Sequence, residues 1–259
     1  MRILITNDDG IHAAGLEALH RELSDMAECL IVAPETEQSA VGHAITLSRP
    51  LMVRRVTKKG RFWGYAVAGT PADSVKIALK ELSRDPFDLV VSGINLGANA
   101  GINVIYSGTV SAAAEGTMMG IPSLAVSLDT RSEGADFSLA ARFAGRLAKA
   151  AAANGLARGV TLNVNVPALP RGEIRGVAVT RQGPQHMTET FEKRTSPRKE
   201  TYYWLSGWTS VPDGGHEDSD ITALRRGMIS ITPIQYDLTK HEALGALKDS
   251  ITDGLLDDI

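Results

Sequence analysis

The sequence predicts an α/β protein with a mostly parallel β-sheet, helices on both of its faces and an extended C-terminal β-hairpin arm. Over the first two thirds of the chain, short apolar runs alternate with segments of helical period. This alternation is typical of a doubly wound parallel sheet. After residue 180 the helical period is lost, and aromatic and polar residues follow one another to about residue 215. That change indicates a long hairpin.

Apolar runs mark the strands of the sheet. They are short, rich in β-branched residues and almost free of charge, as expected for strands that are buried on both faces. The predicted strands are 3–5, 29–34, 88–93, 123–128 and 160–167, with a pair at 51–56 and 62–69 around the turn "KKG" and a returning strand at 228–238.

Helical periodicity marks the segments between the strands. Leu16, Leu19 and Leu23 share one face of the first segment, which is the spacing of an amphipathic helix. Asp73, in the first turn after Thr70-Pro71, is typical of a helix start. The predicted helices are 15–27, 72–83, 109–119 and 137–153, with a closing helix in 241–258.

Composition narrows the class of protein. The chain has 259 residues and is 43% hydrophobic, which is ample for one large core. A net charge of -3 gives no basic excess with which to hold a nucleic-acid polymer. The single cysteine, Cys29, excludes a disulfide within the chain, and no apolar run reaches the length of a membrane span. We therefore expect a soluble cytoplasmic protein with no membrane partner.

The predicted arm divides the chain into two parts. We expect residues 1–180 to form a catalytic core, and residues 181–259 to supply the arm, a returning strand and a C-terminal helix used in oligomerisation. Four large aromatics, Tyr202, Tyr203, Trp204 and Trp208, cluster in a chain that is only 5% aromatic. A lone hairpin cannot bury them on itself, so we expect an arm exchanged between subunits. The alternative is an arm that folds back on its own core.

Three loops follow strands of the predicted sheet and should meet at one edge of it. In a parallel sheet, ligands bind beyond the carboxyl ends of the strands. The first loop is Asn7-Asp8-Asp9-Gly10, directly after strand 3–5. The polar residues of the other two loops are Ser39 and His43 after strand 29–34, and Asn95, Asn99, Ser107, Gly108 and Thr109 after strand 88–93.

Asp8 and Asp9 are the most informative residues of the first loop. Asp favours turns and helix caps, so one carboxylate can serve as a cap. The second then faces the first with no Lys or Arg in the loop, and their repulsion costs on the order of 1 kcal/mol or more when partly buried. A divalent cation removes that cost. Ser39 and Asn95 would add neutral oxygens, and such an all-oxygen set predicts one Mg²⁺ or Mn²⁺ per subunit rather than zinc.

The segment "YSGTVSAAAEG" (106–116) predicts an anion site. The turn Ser107-Gly108-Thr109 leads into a helix of small residues, whose free N–H groups and positive dipole end attract a phosphate. The alternative is an ordinary helix cap formed by Thr109. The segment is not a Walker motif, which needs Lys after its last Gly, and no dinucleotide fingerprint follows the first strand.

Two weaker signals lie near these loops. The glycines of "SGINLGANAG" (92–101) let the backbone approach a ligand closely, although a flexible loop is the alternative. His43 can help to protonate a leaving group, although a structural histidine is an equally good interpretation.

Five motifs together resemble the SurE family, the survival protein E nucleotidases. They are "ITNDDG", "QSAVGHAIT", "GTPADSV", "VSGINLGANAG" and "YSGTVSAAAEG", and the resemblance extends from Met1 to "SITPIQYDLT". It implies a divalent-metal-dependent phosphatase of nucleoside 5′- and 3′-monophosphates. It also implies a Rossmann-like core and an arm exchanged in homodimers or homotetramers. By position, the family's metal ligands match Asp8, Asp9, Ser39 and Asn95, and its phosphate loop contains Asn99, Ser107, Gly108 and Thr109.

The residues leave the mechanism open. A metal-activated water is the nucleophile that we favour, and direct attack by Asp8 through a phospho-aspartate is the alternative. A haloacid-dehalogenase-type phosphatase needs Asp-x-Asp, whereas Asp8 and Asp9 are adjacent. A rival from a different class is a nucleotide sensor that binds metal and nucleotide in the same pocket without turnover.

Overall fold

The computed structural model describes residues 1–132, 134–184, 187–210 and 216–251. Its strands are β1 (Arg2–Thr6), β2 (Glu28–Pro34), β3 (Val53–Lys58), β4 (Arg61–Val67), β5 (Leu89–Leu96), β6 (Ser123–Asp129), β7 (Val160–Pro167), β8 (Gly176–Val179), β9 (Met187–Thr195), β10 (Thr201–Ser210) and β11 (Met228–Gln235). Its helices are α1 (Ala14–Leu23), α2 (Pro71–Ile77), α3 (Asn103–Tyr106), α4 (Gly108–Met118), α5 (Ser138–Asn154), α6 (Asp220–Arg225) and α7 (Leu244–Ile251).

Nine strands form one twisted sheet in the order β3-β4-β2-β1-β5-β6-β7-β11-β8. The central strands β2, β1, β5, β6 and β7 are parallel to one another. The antiparallel pairs lie toward the edges, between β3 and β4 and between β7 and β11. The predicted fold class, a mostly parallel sheet with an additional hairpin, is confirmed.

Helices cover both faces of this sheet. Ile3 and Ile5 of the central strand pack in the cluster that holds the leucine face of α1 and the alanine face of α5. Leu4, whose side chain points to the other face, packs with Val75 of α2 and Ala112 of α4. This alternation is the expected result of a strand that is buried on both sides.

The structure differs from the sequence reading at short elements. The predicted helix 72–83 is α-helical only to Ile77, the last residue of α2, and Ala78–Leu82 continue it as a π-helical turn. Its start is as predicted, because Thr70 and Asp73 form a capping box. Strand β8 and helices α3 and α6 were not predicted, because elements of four to six residues are too short to show a period. Strand β11 lies inside the sheet, so the chain after residue 180 also contributes to the core.

The arm is a two-stranded antiparallel sheet of its own. Strands β9 and β10 pair with each other and with no strand of the main sheet among the described residues. Tyr203 and Trp204 are 59% and 58% exposed, so the core of the same subunit does not cover them. The side chain of Trp208 lies outside the described residues. Among the described helices, none has both the length and the apolar character needed to cross a bilayer.

Candidate metal and phosphate site

One cavity opens at the carboxyl ends of β1, β5 and β6, and its volume is about 740 Å³. This is the position at which doubly wound sheets bind ligands. The cavity brings together six of the predicted site residues, which come from three separate loops. They are Asp8, Asp9, Ser39, Asn95, Asn99 and Ser107.

The loop after β1 is fixed by its own residues. The amide of Asn7 donates to the Gly10 carbonyl oxygen at 3.0 Å, and its Oδ1 accepts from the Gly10 N–H at 3.2 Å. Gly10 has a φ of 99°, a conformation that favours glycine. The Gln38 N–H donates to the Asp8 carbonyl oxygen at 2.8 Å, which ties this loop to the one after β2. The turn therefore presents Asp8 and Asp9 in a fixed arrangement.

Asp8 is almost completely buried at the start of helix α4. Asp8 is only 7% exposed, and its Oδ1 accepts a hydrogen bond from the Thr109 hydroxyl. Burial raises the pKa of Asp8, and the hydrogen bonds from the side chain and backbone of Thr109 oppose that shift. A carboxylate in such a position requires either a proton or a cation.

Asp9 has a similar requirement. Burial is the main cause that raises its pKa to about 7, and the negative charge of Asp8 adds to the shift. Within the described residues, no three His, Cys, Asp or Glu side chains form a cluster that could hold a metal. Asp8 and Asp9 are the two carboxylates that would hold an ion here, and Glu37 and Asp129 line the same cavity.

Ser39 and Asn95 can complete an oxygen set around these carboxylates. The Asn95 Nδ2 donates to the Gly97 carbonyl oxygen at 2.7 Å, so that its Oδ1 remains available as a ligand. The Ser39 hydroxyl donates its proton to Glu37, which leaves the lone pairs of the Ser39 oxygen free. Two carboxylates and two neutral oxygens fit a hard divalent ion such as Mg²⁺ or Mn²⁺.

Donors for an anion lie beside this oxygen set. Ser107 caps α4 by accepting from the Val110 N–H at 3.0 Å, and it keeps its own hydroxyl proton to donate. Asn99 gives one Nδ2 hydrogen to the Ser127 hydroxyl at 2.9 Å, and the second is available to a ligand. A phosphate between these residues and the ion would be held from both sides.

Three predicted site residues do not line the described cavity. Thr109 directs its hydroxyl at Asp8, and Gly108 packs against the same side chain. His43 contacts buried Glu115 at 2.9 Å through Nε2, and Lys76 holds the other Glu115 oxygen at 2.7 Å. Direct contact of these residues with a substrate remains a prediction.

The family model for the survival protein SurE matches residues 3–189 of the chain. The chain belongs to the SurE family. It is 60% identical to the 5′-nucleotidase SurE of Syntrophus aciditrophicus, over 96% of this chain and 93% of the relative. Identity to the 5′-nucleotidase SurE of Syntrophobacter fumaroxidans is 53%, over 95% and 98%. The crystal structure of the SurE protein from Aquifex aeolicus superposes with a TM-score of 0.83 at 36% identity, covering 96% of this chain and 99% of that one.

Some of the residues that line this cavity were not predicted from the sequence. Arg131 contributes the one Lys or Arg side chain among the described residues that line it, and Asp129 and Thr130 precede it at the end of β6. Applying the rule for strand ends to 123–128 as well would have found them. Tyr106 and Glu37 also line the cavity, and neither gave a signal apart from its place in a loop.

Proposed function

We propose that this chain is a divalent-metal-dependent phosphomonoesterase, a phosphoric monoester hydrolase that converts nucleoside 5′- and 3′-monophosphates to nucleoside and phosphate. The observation that carries the proposal is the pair of carboxylates, buried Asp8 and half-buried Asp9, beside the anion donors Ser107 and Asn99 in one cavity. The name of the two bacterial relatives, 5′-nucleotidase, supports the hydrolysis of nucleoside 5′-monophosphates.

Each residue has a distinct part in the proposed reaction. Asp8, Asp9, Ser39 and Asn95 hold the ion, which when bound supplies charge neutralisation and activation of a water. Asn99 and Ser107 orient the phosphoryl oxygens. Because Asp8 is buried and bonded to Thr109, its geometry favours a role as ligand over a role as nucleophile.

The cavity has room for more than a phosphate. Its volume of about 740 Å³ lies within the range that encloses a drug-sized ligand. Tyr106 offers an aromatic ring on which a base can stack, and Arg131 offers a cation in the same cavity. These features support a nucleotide over a small phosphate ester.

Phosphate release tests the function directly. We expect release from AMP and from 3′-AMP with Mg²⁺ or Mn²⁺, and loss of release when excess chelator is added. Re-addition of the metal should restore it. Binding of AMP by calorimetry without any release would favour the nucleotide sensor instead. Full activity in excess chelator would contradict the metal proposal.

We also propose that the arm assembles the protein into homodimers or homotetramers. Tyr203 and Trp204 are each more than half exposed, and as neighbours on β10 they place an aromatic ring on each face of the arm. Aromatic surface of this size is usually covered by a partner. Replacing both with Ser should convert the oligomer to a monomer, as measured by light scattering at micromolar concentration. Tyr236→Ser is the matched control, because Tyr236 is 51% exposed outside the arm. A monomeric wild type would contradict the proposal.

A further inference from the structure

The backbone of Gly101, in the loop that carries Asn99, is held by two residues from distant parts of the chain. The Gly101 N–H donates to Asp220 Oδ2 at 2.9 Å, and the Gly101 carbonyl oxygen accepts from Gln182 Nε2 at 2.8 Å. Gln182 lies just before the arm, and Asp220 is the first residue of α6 after it. Both ends of the arm thus contact the loop of the cavity.

Asp220 joins these segments through a single carboxylate. It is completely buried. Its second oxygen, Oδ1, accepts from the Gly183 N–H at 2.9 Å and from the Ile221 N–H at 2.8 Å. Arg181 and Ser219 form a parallel bridge beside it. The carboxylate therefore satisfies three backbone donors, one from the cavity loop, one from the segment just before the arm and one from α6.

Asn99 is fixed on the opposite side by strand β7. Its N–H donates to Asn165 Oδ1 at 2.7 Å, and its carbonyl oxygen accepts from Asn163 Nδ2 at 2.7 Å. Only Ala100 separates Asn99 from Gly101. The short stretch from Asn99 to Gly101 is therefore held at both of its ends, by β7 and by Asp220.

We infer that Asp220 is a positioning residue for phosphate binding, because it holds Gly101 and thereby places Asn99, and that it links the base of the arm to the cavity. The inference rests on the proposed function, in which Asn99 orients the phosphate. Gln182 supports the same position from the carbonyl side of Gly101.

The substitution Asp220→Asn breaks the link with almost no change in volume. The amide oxygen can serve the Gly183 and Ile221 N–H groups, and the NH₂ group then faces the Gly101 N–H. Two donors cannot bond to each other, so the loop is released. Ser219→Ala is the matched control. It removes the cap bond to the Thr222 N–H, which weakens the start of α6 but leaves the three bonds of Asp220 in place.

The first measurement is hydrogen–deuterium exchange of a peptide that covers 97–103, which needs no activity. We expect faster exchange in Asp220→Asn and wild-type exchange in Ser219→Ala. The second is inhibition by inorganic phosphate with Mg²⁺ present. We expect the inhibition constant and KM to rise about tenfold in Asp220→Asn, with a smaller change in kcat.

Gln182→Ala tests the same link from the carbonyl side of Gly101. Gln182→Ala removes a bond made by an exposed side chain, so this variant should fold. It should weaken phosphate binding in the same direction as Asp220→Asn. It therefore serves as the test if Asp220→Asn does not fold. Unchanged exchange and phosphate inhibition in both variants would overturn the inference while the wild type remains active. A wild type that releases no phosphate would instead contradict the proposed function, and loop exchange would still test the link.

Discussion

Asp9→Asn is expected to lower phosphate release by about a thousandfold, because it removes one of the two charged ligands that fit the ion. The isosteric amide keeps the shape of the side chain, so the fold should survive. Activity is measured as kcat/KM for AMP at saturating Mg²⁺ and again at saturating Mn²⁺. Asp25→Asn, an exposed position just beyond α1, is the control and should leave activity unchanged.

The same substitution should stabilise the metal-free protein at alkaline pH. The folded-state pKa of Asp9, about 7, lies above the ordinary value of 3.8. As the pH rises from about 4 to 7, the unfolded chain loses this proton while the folded protein keeps it, so the folded protein loses stability with increasing pH. Above pH 7 the full cost of burying the charge beside Asp8 remains.

The order of the two melting temperatures should therefore depend on pH and on the metal. Without metal at pH 8, Asp9→Asn should melt several degrees above the wild type, and the difference should vanish near pH 4. With Mg²⁺ or Mn²⁺ at pH 8, the wild type should gain in Tm and the variant should gain much less. A lower metal-free Tm for Asp9→Asn at pH 8 would show that the Asp9 carboxylate does not destabilise the fold. The cost that a bound metal ion is proposed to offset would then be absent.

Whether a feature of this protein can be predicted from its sequence depends on how far apart in the chain the interacting residues lie. The apolar run from Ile3 to Ile5 predicted β1, and the spacing of the leucines predicted α1. Both signals are local, because burial of one element sets the spacing of its own apolar residues. Asp8, Asp9 and Asn95 were found as candidates because strand ends converge at one edge.

Contacts between distant segments gave no such signal. The bond between Thr109 and Asp8 joins positions 101 residues apart, and the bond between Gly101 and Asp220 joins positions 119 apart. Nothing in the residue types at these positions specifies their partners. The sequence predicted Thr109 as part of the phosphate loop and gave no sign that its hydroxyl also donates to Asp8.

Gly108 is where this contact can be tested most sharply. A Cβ atom there would lie 2.7 Å from Asp8 Cβ and 2.9 Å from Asp8 Oδ2, which is closer than real Cβ contacts allow. In Gly108→Ala either the start of α4 or Asp8 has to move, and the bond from Thr109 is then strained. Displacing a carboxylate of the site by about 1 Å can lower the reaction rate on the order of a hundredfold.

The control for Gly108→Ala lies in the same helix. A Cβ at Gly116 would lie 2.6 Å from Ser123 Oγ and 2.7 Å from Val90 Cγ2, which overpacks α4 against the sheet at the end away from Asp8. Both variants should therefore lose stability, by roughly 1–3 kcal/mol. Only Gly108→Ala should also lose kcat/KM by about a hundredfold and abolish the rise in Tm that Mg²⁺ or Mn²⁺ produces. If the two variants lost activity equally, the loss would follow from stability alone, and the contact between α4 and Asp8 would have no separate role in holding the ion.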